Sequence, residues 1–233
     1  MKLVDLAAEK AIVEVLLRGG ISFTLVSEES GIKEFGTTPK EWYVTVDPID
    51  GTTNLLHGLP FYASSIAVSP EPKLSKIEAG LVADLRHGNT YTASKGAGAY
   101  RDGKKICPSE TESLTEAIIG LDLNTYRVEG IAPQLTGLIT ATKHIRHFGA
   151  NALELCYVAE GLTDAFVDIR GKLRTTDTAA AYLIIKEANG LITTPEQSPL
   201  EAKLDPTEKL KFIAAGNPKI HKSILTLLNA KRN

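Results

Sequence analysis

The stretch from Trp42 to Asn54, WYVTVDPIDGTTN, constrains the fold and the chemistry of this chain more than any other. Its first five residues are aromatic or β-branched, which is typical of a buried strand. The pattern predicts that the strand ends at Asp47-Pro48, because proline has no N–H to give to a sheet ladder. The residues from Asp50 to Asn54 are typical of a turn that leads into a short helix.

Two carboxylates stand three residues apart at the exit of this strand, and they invite two interpretations. Asp47 and Asp50 would converge on one point, and their repulsion would raise at least one pKa, so a cation is a natural partner. Gly51, the two threonine hydroxyls and the free N–H groups of a helix start suit a phosphate. Asp-Pro and Asp-Gly are also common turn dipeptides, and Asp or Thr often caps a helix. The stretch by itself therefore indicates either a capped turn or a metal beside a phosphate.

The composition is that of an ordinary globular enzyme, with 43% hydrophobic and 23% charged residues. No apolar run approaches the roughly 18 residues that span a bilayer. The N-terminus carries acidic residues where a signal peptide needs an apolar core. Cys107 and Cys156 lie far apart without metal-ligand spacing, which predicts free thiols in a reducing compartment. We therefore expect a cytoplasmic protein, and the net charge of −2 gives no general attraction for nucleic acid.

Three motifs agree in order and spacing with one family. They are DPIDGTTN itself, the Glu28-Glu29-Ser30 run after a short strand, and Asp177 ahead of an alanine-rich helix. An isolated Asp in that last position is ordinarily a helix cap. Together the motifs resemble the inositol monophosphatase family of magnesium-dependent sugar-phosphate phosphatases, from about Asp5 to the C-terminus. The chain differs from the family at Thr176, where a tryptophan is usual.

The resemblance implies an α+β fold, a layered αβαβα sandwich with an antiparallel N-terminal sheet and a mixed α/β C-terminal half. The expected halves are residues 1–112, with the metal and phosphate motif, and residues 113–233, with the substrate contacts and the last metal ligand. Residues 5–17 read as an amphipathic helix capped by Asp5. Family members carry a further helix before that position. We expect it to be absent here, or lost to a misplaced start, and a third metal ion to bind weakly.

The resemblance also assigns roles to single residues. Two or three Mg²⁺ ions, with Mn²⁺ as a substitute, would be held by hard oxygen ligands, which suit these ions and not soft metals. Thr52, hydrogen-bonded to Asp5, would orient the attacking water as the catalytic pair. The expected metal ligands are Glu28, Asp47, the carbonyl of Ile49, Asp50 and Asp177.

Substrate contacts are expected on both halves of the chain. N–H groups of Gly51, Thr52 and Thr53 would stabilise the phosphoryl oxygens. Gly149-Ala150-Asn151 would offer further N–H groups, although close packing explains these small residues equally well. Asp168 matches the family position that contacts sugar hydroxyls. The cations that follow it are either solvated or form a site for a second phosphate; they are Arg170, Lys172 and Arg174.

The expected activity is Mg²⁺-dependent hydrolysis of a sugar or cyclitol phosphate monoester by metal-activated water. The segment DIRGKLRTTD resembles the archaeal-type branch with dual fructose-1,6-bisphosphatase and inositol-1-monophosphatase activity. A homodimer is expected from the same resemblance, with a small-molecule sugar phosphate as its partner. Two alternatives stay open: a 3′-phosphoadenosine 5′-phosphate phosphatase, and a non-catalytic sugar-phosphate-binding regulator. A regulator should have lost a ligand or the Asp–Thr pair, and the chain keeps both.

Overall fold

Two sheets organise the chain in the computed structural model, which describes residues 2–37, 41–124, 126 and 128–229. In two strands of the first sheet, residues 63–69 and 79–84, every second residue is buried, so one face of these strands packs against a core. The strands of the first sheet are β1 (Phe23–Ser27), β2 (Gly31–Phe35), β3 (Trp42–Asp50), β4 (Ala63–Ser69), β5 (Ala79–Asp84), β6 (Thr90–Ser94), β7 (Gly98–Arg101) and β8 (Lys104–Lys105). Their order is β2-β1-β3-β4-β5-β6-β7-β8, and all neighbours are antiparallel except the parallel pair β1 and β3.

The second sheet is mixed and lies wholly in the C-terminal part of the chain. Its strands are β9 (Ile118–Leu121), β10 (His144–Arg146), β11 (Ala165–Arg174), β12 (Leu191–Thr193) and β13 (Lys209–Ala215). The order is β10-β9-β11-β13-β12, with β10, β9 and β11 parallel and β13 antiparallel to both of its neighbours.

Six helices in the described part of the chain cover the sheets. They are α1 (Lys2–Arg18), α2 (Thr52–His57), α3 (Ile131–Ala141), α4 (Asn151–Glu160), α5 (Thr175–Glu187) and α6 (Pro218–Asn229). Helices α4 and α5 lie between the sheets and share one core with both. Helix α1 packs on the outer face of the first sheet, and α3 and α6 on the outer face of the second. The layers confirm the predicted α+β sandwich.

Helix α5 comes unusually close to the first sheet. A Cβ atom at Gly80 of β5 would lie 2.8 Å from the carbonyl oxygen of Ala180, so only glycine fits at this crossing. Small residues on the helix side, such as Ala179 and Ala181, are fully or almost fully buried there. This close contact fixes the start of α5 next to the end of β3. The division at residue 112 coincides with the gap between the sheets, but as a domain boundary it stays a prediction.

Two sequence expectations about element ends were wrong. Asp5 does not cap a helix, because α1 already begins at Lys2 and Asp5 lies in its first turn. The strand does not end at Asp47-Pro48 but continues to Asp50. Proline fits because β1 pairs with β3 only as far as Val46, and the register with β4 shifts between Asp47 and Asp50.

None of the helices in the described ranges has the length and apolarity to cross a bilayer.

Replacing Gly51 by alanine should destabilise the fold more than the same change at Gly58. Both residues have a left-handed backbone, with φ of 86° and 72°, which costs an L-residue about 1–2 kcal/mol. At Gly51 the added Cβ would also lie 2.9 Å from Cβ of Ala150, whereas nothing lies within 4 Å at Gly58. We expect Gly51→Ala to lose about 1–3 kcal/mol more than Gly58→Ala in urea unfolding. Equal losses in the two variants would contradict the close packing of Gly51 against Ala150.

Candidate functional site

One cavity of about 660 Å³ opens where β3, β11 and the starts of three helices meet. Glu28 and Glu29 reach it from the turn after β1, and Thr52, Thr53 and Asn54 from α2. The wall is rich in charge, with seven carboxylates and three cations. The acidic residues are Asp5, Glu28, Glu29, Asp47, Asp50, Asp122 and Asp177, and the cations are Arg170, Lys172 and Arg174.

Three of these carboxylates converge. Glu28, Asp47 and Asp177 each place one oxygen atom so that the three atoms lie within 4.8 Å of one another. Asp47 and Asp177 are buried, and Glu28 is partly buried. All the donors are hard carboxylate oxygens, which is the ligand set that Mg²⁺, Ca²⁺ or Mn²⁺ prefers. The residues present therefore fit a divalent cation at this point.

The pKa values of all four neighbouring carboxyl groups are raised, first by burial and then by the charges around them. Burial raises the pKa of Asp47 well above its usual range, and the neighbouring charge of Asp50 adds to the effect. Burial, followed by the charge of Asp177, raises the pKa of Asp50 to about 7. Burial also raises the pKa values of Glu28 and Asp177. Ionised together, these groups oppose folding unless positive charge neutralises them.

Asp50 and Asp177 are held by backbone groups. Oδ2 of Asp50 accepts a hydrogen bond from the N–H of Ala152 at 2.6 Å, at the start of α4. Oδ2 of Asp177 accepts from the N–H of Arg174 at 2.9 Å. Asp177 does not precede α5 as its N-cap, because the helix already begins at Thr175; it lies in the first turn and binds the N–H of the N-cap residue Arg174 from there. The structure thus brings Glu28, Asp47 and Asp177 together and leaves Asp50 beside them, with one oxygen occupied by a helix.

The expected pair of Thr52 and Asp5 is also brought together. The hydroxyl of Thr52 lies 3.2 Å from Oδ1 of Asp5 and 2.8 Å from the carbonyl oxygen of Ile49, so its single proton can go to either. Asp5 is only 2% exposed, although it is carried by a helix with a largely solvated outer face. The pair spans the first and second helices, and both residues line the cavity.

The turn at Gly51 packs against the turn at Gly149, and both turns line the cavity. Gly51 and Gly149 both have a left-handed backbone, and Ala150 fills the space beside Gly51. Gly149 and Asn151 line the cavity, but Ala150 is fully buried and does not. The side chain of Ala150 packs against Gly51 instead, and the role predicted for its N–H group stays a prediction.

Two residues that the sequence analysis missed hold these turns. The amide of Asn54 donates to the carbonyl oxygens of Phe61 at 2.8 Å and Phe148 at 2.7 Å. Oε1 of Glu154 accepts from the N–H groups of Phe148 and Gly149, at 3.1 and 2.9 Å. Burial raises the pKa of Glu154 to about 8. A buried acid in the apolar helix NALELC was the available signal for Glu154.

The far wall of the cavity corrects one prediction. Asp168 is completely buried, and its two oxygens accept from Nε and Nη2 of Arg170 at 3.0 and 2.5 Å. It does not line the cavity, so direct contact with a sugar hydroxyl is not what its position allows. Arg170 also pairs with Asp122, a cavity residue that the sequence analysis missed. An aspartate just after a parallel strand was the signal for Asp122.

The three predicted cations all line the cavity, but each already has a protein partner. Arg170 lies between two carboxylates, and the ammonium of Lys172 contacts the carbonyl oxygens of Asn124 and Tyr126. Arg174 pairs with Glu28, with 2.5 Å between Nη1 and Oε1. Of the two interpretations of these cations, the solvated one is wrong for Arg170, which is buried between Asp122 and Asp168. A site for a second phosphate stays a prediction.

Comparisons with known proteins agree with this geometry. The profile of the inositol monophosphatase family matches residues 1–232. The fructose-1,6-bisphosphatase/inositol-1-monophosphatase of Methanothermobacter thermautotrophicus is 34% identical over 235 residues, which cover 97% of this chain and 82% of the relative. The bifunctional NADP phosphatase/NAD kinase of Methanococcus maripaludis is 34% identical over 244 residues, and the matched region covers 96% of this chain and 42% of that protein.

Among solved structures, a hypothetical protein from Pyrococcus horikoshii with similarities to inositol-1 monophosphatase superposes with a TM-score of 0.81. It is 33% identical in sequence, and the match covers 96% of this chain and 83% of that one.

Removing the carboxyl group of Asp47 should stabilise the metal-free protein and make its stability nearly independent of added metal. We expect Mg²⁺ or Mn²⁺ at about 100 times its dissociation constant to stabilise the protein by about 2.7 kcal/mol. Asp47→Asn should raise the melting temperature in EDTA, because it removes a carboxyl group whose ionised form is opposed by burial and by Asp50, and it should abolish most of the metal-induced increase. Glu14→Gln, on the exposed face of α1, is the control and should change neither value. A full metal response in Asp47→Asn would contradict the site.

Without metal the protein should lose stability as the pH rises. Asp50 and Glu154 have folded-state pKa values of about 7 and about 8, above their ordinary values of 3.8 and 4.5. The folded state therefore holds protons that the unfolded state has released, between about pH 4 and pH 7 or 8. Each such proton should lower the free energy of unfolding by about 1.4 kcal/mol per pH unit in that window. Urea unfolding in EDTA at several pH values measures the slope, which Asp50→Asn should reduce. A slope of zero or of opposite sign would refute this prediction.

Proposed function

Because the chain belongs to the inositol monophosphatase family, it is a phosphatase that hydrolyses phosphate monoesters, and we propose that its substrates are fructose 1,6-bisphosphate and inositol 1-phosphate. The family is metal-dependent, and we propose Mg²⁺ as the ion, in two or three copies, with Mn²⁺ as a substitute. The observation that carries this proposal is the convergence of three carboxylates next to the hydrogen-bonded Thr52 and Asp5. We also propose that the protein is a cytoplasmic homodimer.

We assign the metal ligands to Glu28, Asp47, Asp177 and Asp50, with the carbonyl of Ile49. A bound divalent ion supplies positive charge that stabilises phosphoryl oxygens and makes water a stronger acid. The ion also offsets the repulsion that burial creates among these carboxylates. Asp50 can bind with the oxygen that Ala152 does not occupy.

Thr52 and Asp5 are assigned to the attacking water. The hydroxyl of Thr52 can donate to Asp5 and accept a hydrogen bond from water, which fixes the direction in which the water's lone pair points. Asp5 then receives the proton that passes through the hydroxyl. Gly51, Thr52 and Thr53 line the same cavity, and we assign their N–H groups to negative charge that develops on the phosphoryl oxygens.

The wall opposite these groups suits a polyol. Asp122 supplies acceptors, and Arg170 and the ring of His147 lie beside it as donors. Hydroxyl groups of a sugar or cyclitol both donate and accept, so they match such a mixed surface. Asp168 acts here as a positioning residue, since its buried carboxylate accepts two hydrogen bonds from the guanidinium of Arg170 and so orients it.

A nucleotide substrate is the second candidate, as in a 3′-phosphoadenosine 5′-phosphate phosphatase or the NADP phosphatase named above. Along the described part of the cavity wall, no Phe, Tyr or Trp is present. Among the described residues of the wall, adenine could stack only on the imidazole of His147, which lies beside Asp122; stacking on a larger ring is worth about 1–3 kcal/mol. This absence favours the sugar phosphate.

A phosphate-release panel tests the proposal. Fructose 1,6-bisphosphate and inositol 1-phosphate should be hydrolysed in Mg²⁺ with higher kcat/KM than 3′-phosphoadenosine 5′-phosphate or NADP. EDTA should stop the reaction reversibly. Thr52→Val should reduce kcat by about 10²–10⁴, in the range of general acid–base effects, and Thr52→Ser should keep most of the activity. Asp50→Asn should keep the fold and lose nearly all turnover.

Other results lead elsewhere. Faster release from NADP or the adenosine bisphosphate would assign the enzyme to nucleotides. Full activity in EDTA would remove the metal mechanism. No release from any substrate, with binding retained, would identify a non-catalytic sugar-phosphate-binding regulator.

A further inference from the structure

Helix α1 presents two buried carboxyl groups to the first sheet. Asp5 and Glu9 lie one turn apart on the same face of the helix, and they are 2% and 7% exposed. Val13, one turn further along, is buried in the apolar core beneath the helix. A carboxyl group in such a row is costly unless it has a polar partner. Asp5 accepts a hydrogen bond from Thr52, and Glu9 meets a different hydroxyl group.

Ser27, the last residue of β1, supplies the partner of Glu9. It is fully buried, and its hydroxyl donates a hydrogen bond to Oε2 of Glu9. Phe23 and Leu25 precede it on the same face of the strand and belong to the apolar core beneath α1. The serine therefore interrupts an apolar row at the point where Glu9 faces it, so the two polar residues match each other.

The hydroxyl of Ser27 also holds the turn that carries Glu28. Its single proton goes to Glu9, which leaves the lone pairs of Oγ to accept. Oγ accepts a hydrogen bond from the N–H of Glu29 at 3.1 Å. The N–H of Glu28 donates to the carbonyl oxygen of Val46 at 3.3 Å. Two consecutive N–H groups of the turn are thus fixed, one by β3 and the other by the pair of Glu9 and Ser27.

Glu28 depends on this support more than the other two converging carboxylates do. It is carried by a turn, whereas Asp47 lies in β3 and Asp177 in the first turn of α5. Its side chain is 23% exposed, while the other two are buried. Ordering a long side chain costs conformational entropy. Groups that orient a metal ligand from behind typically contribute about 10–100-fold to metal affinity.

We propose that Glu9, acting through Ser27, is a positioning residue that holds Glu28 in the geometry that binds metal. This inference rests on the metal site of the proposed function and deepens it. One face of α1 then serves two parts of the site, because Asp5 binds the hydroxyl of Thr52 and Glu9 orients the turn of a metal ligand. Neither Glu9 nor Ser27 lines the cavity, so their effect on the metal passes through the backbone of the turn.

Calorimetric titration of Mn²⁺ into the metal-free protein, without substrate, tests this role. Glu9→Met removes the acceptor without leaving an unpaired buried carboxyl group, and it should raise the Kd for Mn²⁺ about tenfold. Glu9→Gln keeps an acceptor oxygen but removes the charge, so its Kd should stay within about threefold of that of the unaltered protein. Glu14→Met, on the exposed face of the same helix, is the control and should leave the Kd unchanged.

The serine is tested in the same titration. Ser27→Ala should also raise the Kd about tenfold. Ser30→Ala is its matched control, because Oγ of Ser30 is buried in the same turn and has no hydrogen-bond partner among the residues that the structure describes. Combining Glu9→Met with Ser27→Ala should weaken binding no more than either change alone, since both act through one hydrogen bond.

The metal dependence of the reaction separates positioning from damage to the fold. In Glu9→Met and in Ser27→Ala, the Mg²⁺ concentration for half-maximal phosphate release should rise about tenfold. The value of kcat at saturating Mg²⁺ should stay within about threefold, because the metal-loaded site is the same. Cooperative urea unfolding in EDTA shows that each variant is folded.

Several outcomes would overturn the positioning role. Equal losses of affinity in Glu9→Gln and Glu9→Met would mean that the charge of Glu9 acts, and not its hydrogen bond. Additive losses in the double variant would mean that Glu9 and Ser27 act independently. An unchanged Kd in Glu9→Met would mean that the pair serves only the fold. The expected pattern of Mn²⁺ affinities in a protein that releases no phosphate would support the positioning role and refute the proposed function.

Discussion

Mutual repulsion among buried carboxylates is the constraint on which the rest of the site depends. Asp47, Asp50 and Asp177 are each at least nine-tenths buried, and Asp47 and Asp177 each place an oxygen within 4.8 Å of one of Glu28. A fold tolerates such an arrangement only where the backbone donates to the acids and where positive charge compensates them. Here Ala152 and Arg174 donate their N–H groups, and the side chain of Arg174 pairs with Glu28. A divalent cation would complete the compensation.

The layered sandwich brings these acids together from distant parts of the chain. Asp47 and Asp50 lie at the end of β3 in the first sheet, whereas Asp177 lies in the first turn of α5 in the C-terminal half. The contact between Gly80 and Ala180 lets that helix approach the sheet closely enough for the groups to meet. Asn54 and Glu154 then hold the two glycine turns in register across the cavity. Stability and the site are thus linked through the same packing.

Charge is distributed unevenly across the cavity. The end that holds Glu28, Asp47 and Asp177 is acidic, and the opposite wall balances Asp122 against Arg170. The cavity thus combines an acidic end whose donors suit a divalent ion with a wall that carries both donors and acceptors.

The sequence determined the family, the layered fold and the residues of the acidic cluster, because short contiguous motifs encode them. It also paired Thr52 with Asp5, through the resemblance, and the structure places them 3.2 Å apart. Only the tertiary structure decided what the polar residues outside the motifs do. Periodicity along β11 put Arg170, Lys172 and Arg174 in one row, but their partners differ. Those of Arg170 and Lys172 include residues just after β9, whereas Arg174 pairs with Glu28 in the turn after β1. Asp122 was missed because its partner Arg170 is far away in the sequence. Glu154 was missed although the N–H groups that it binds, those of Phe148 and Gly149, are nearby. Side-chain roles that depend on long-range contacts cannot be read from local pattern, since burial and pairing are set by the packed fold.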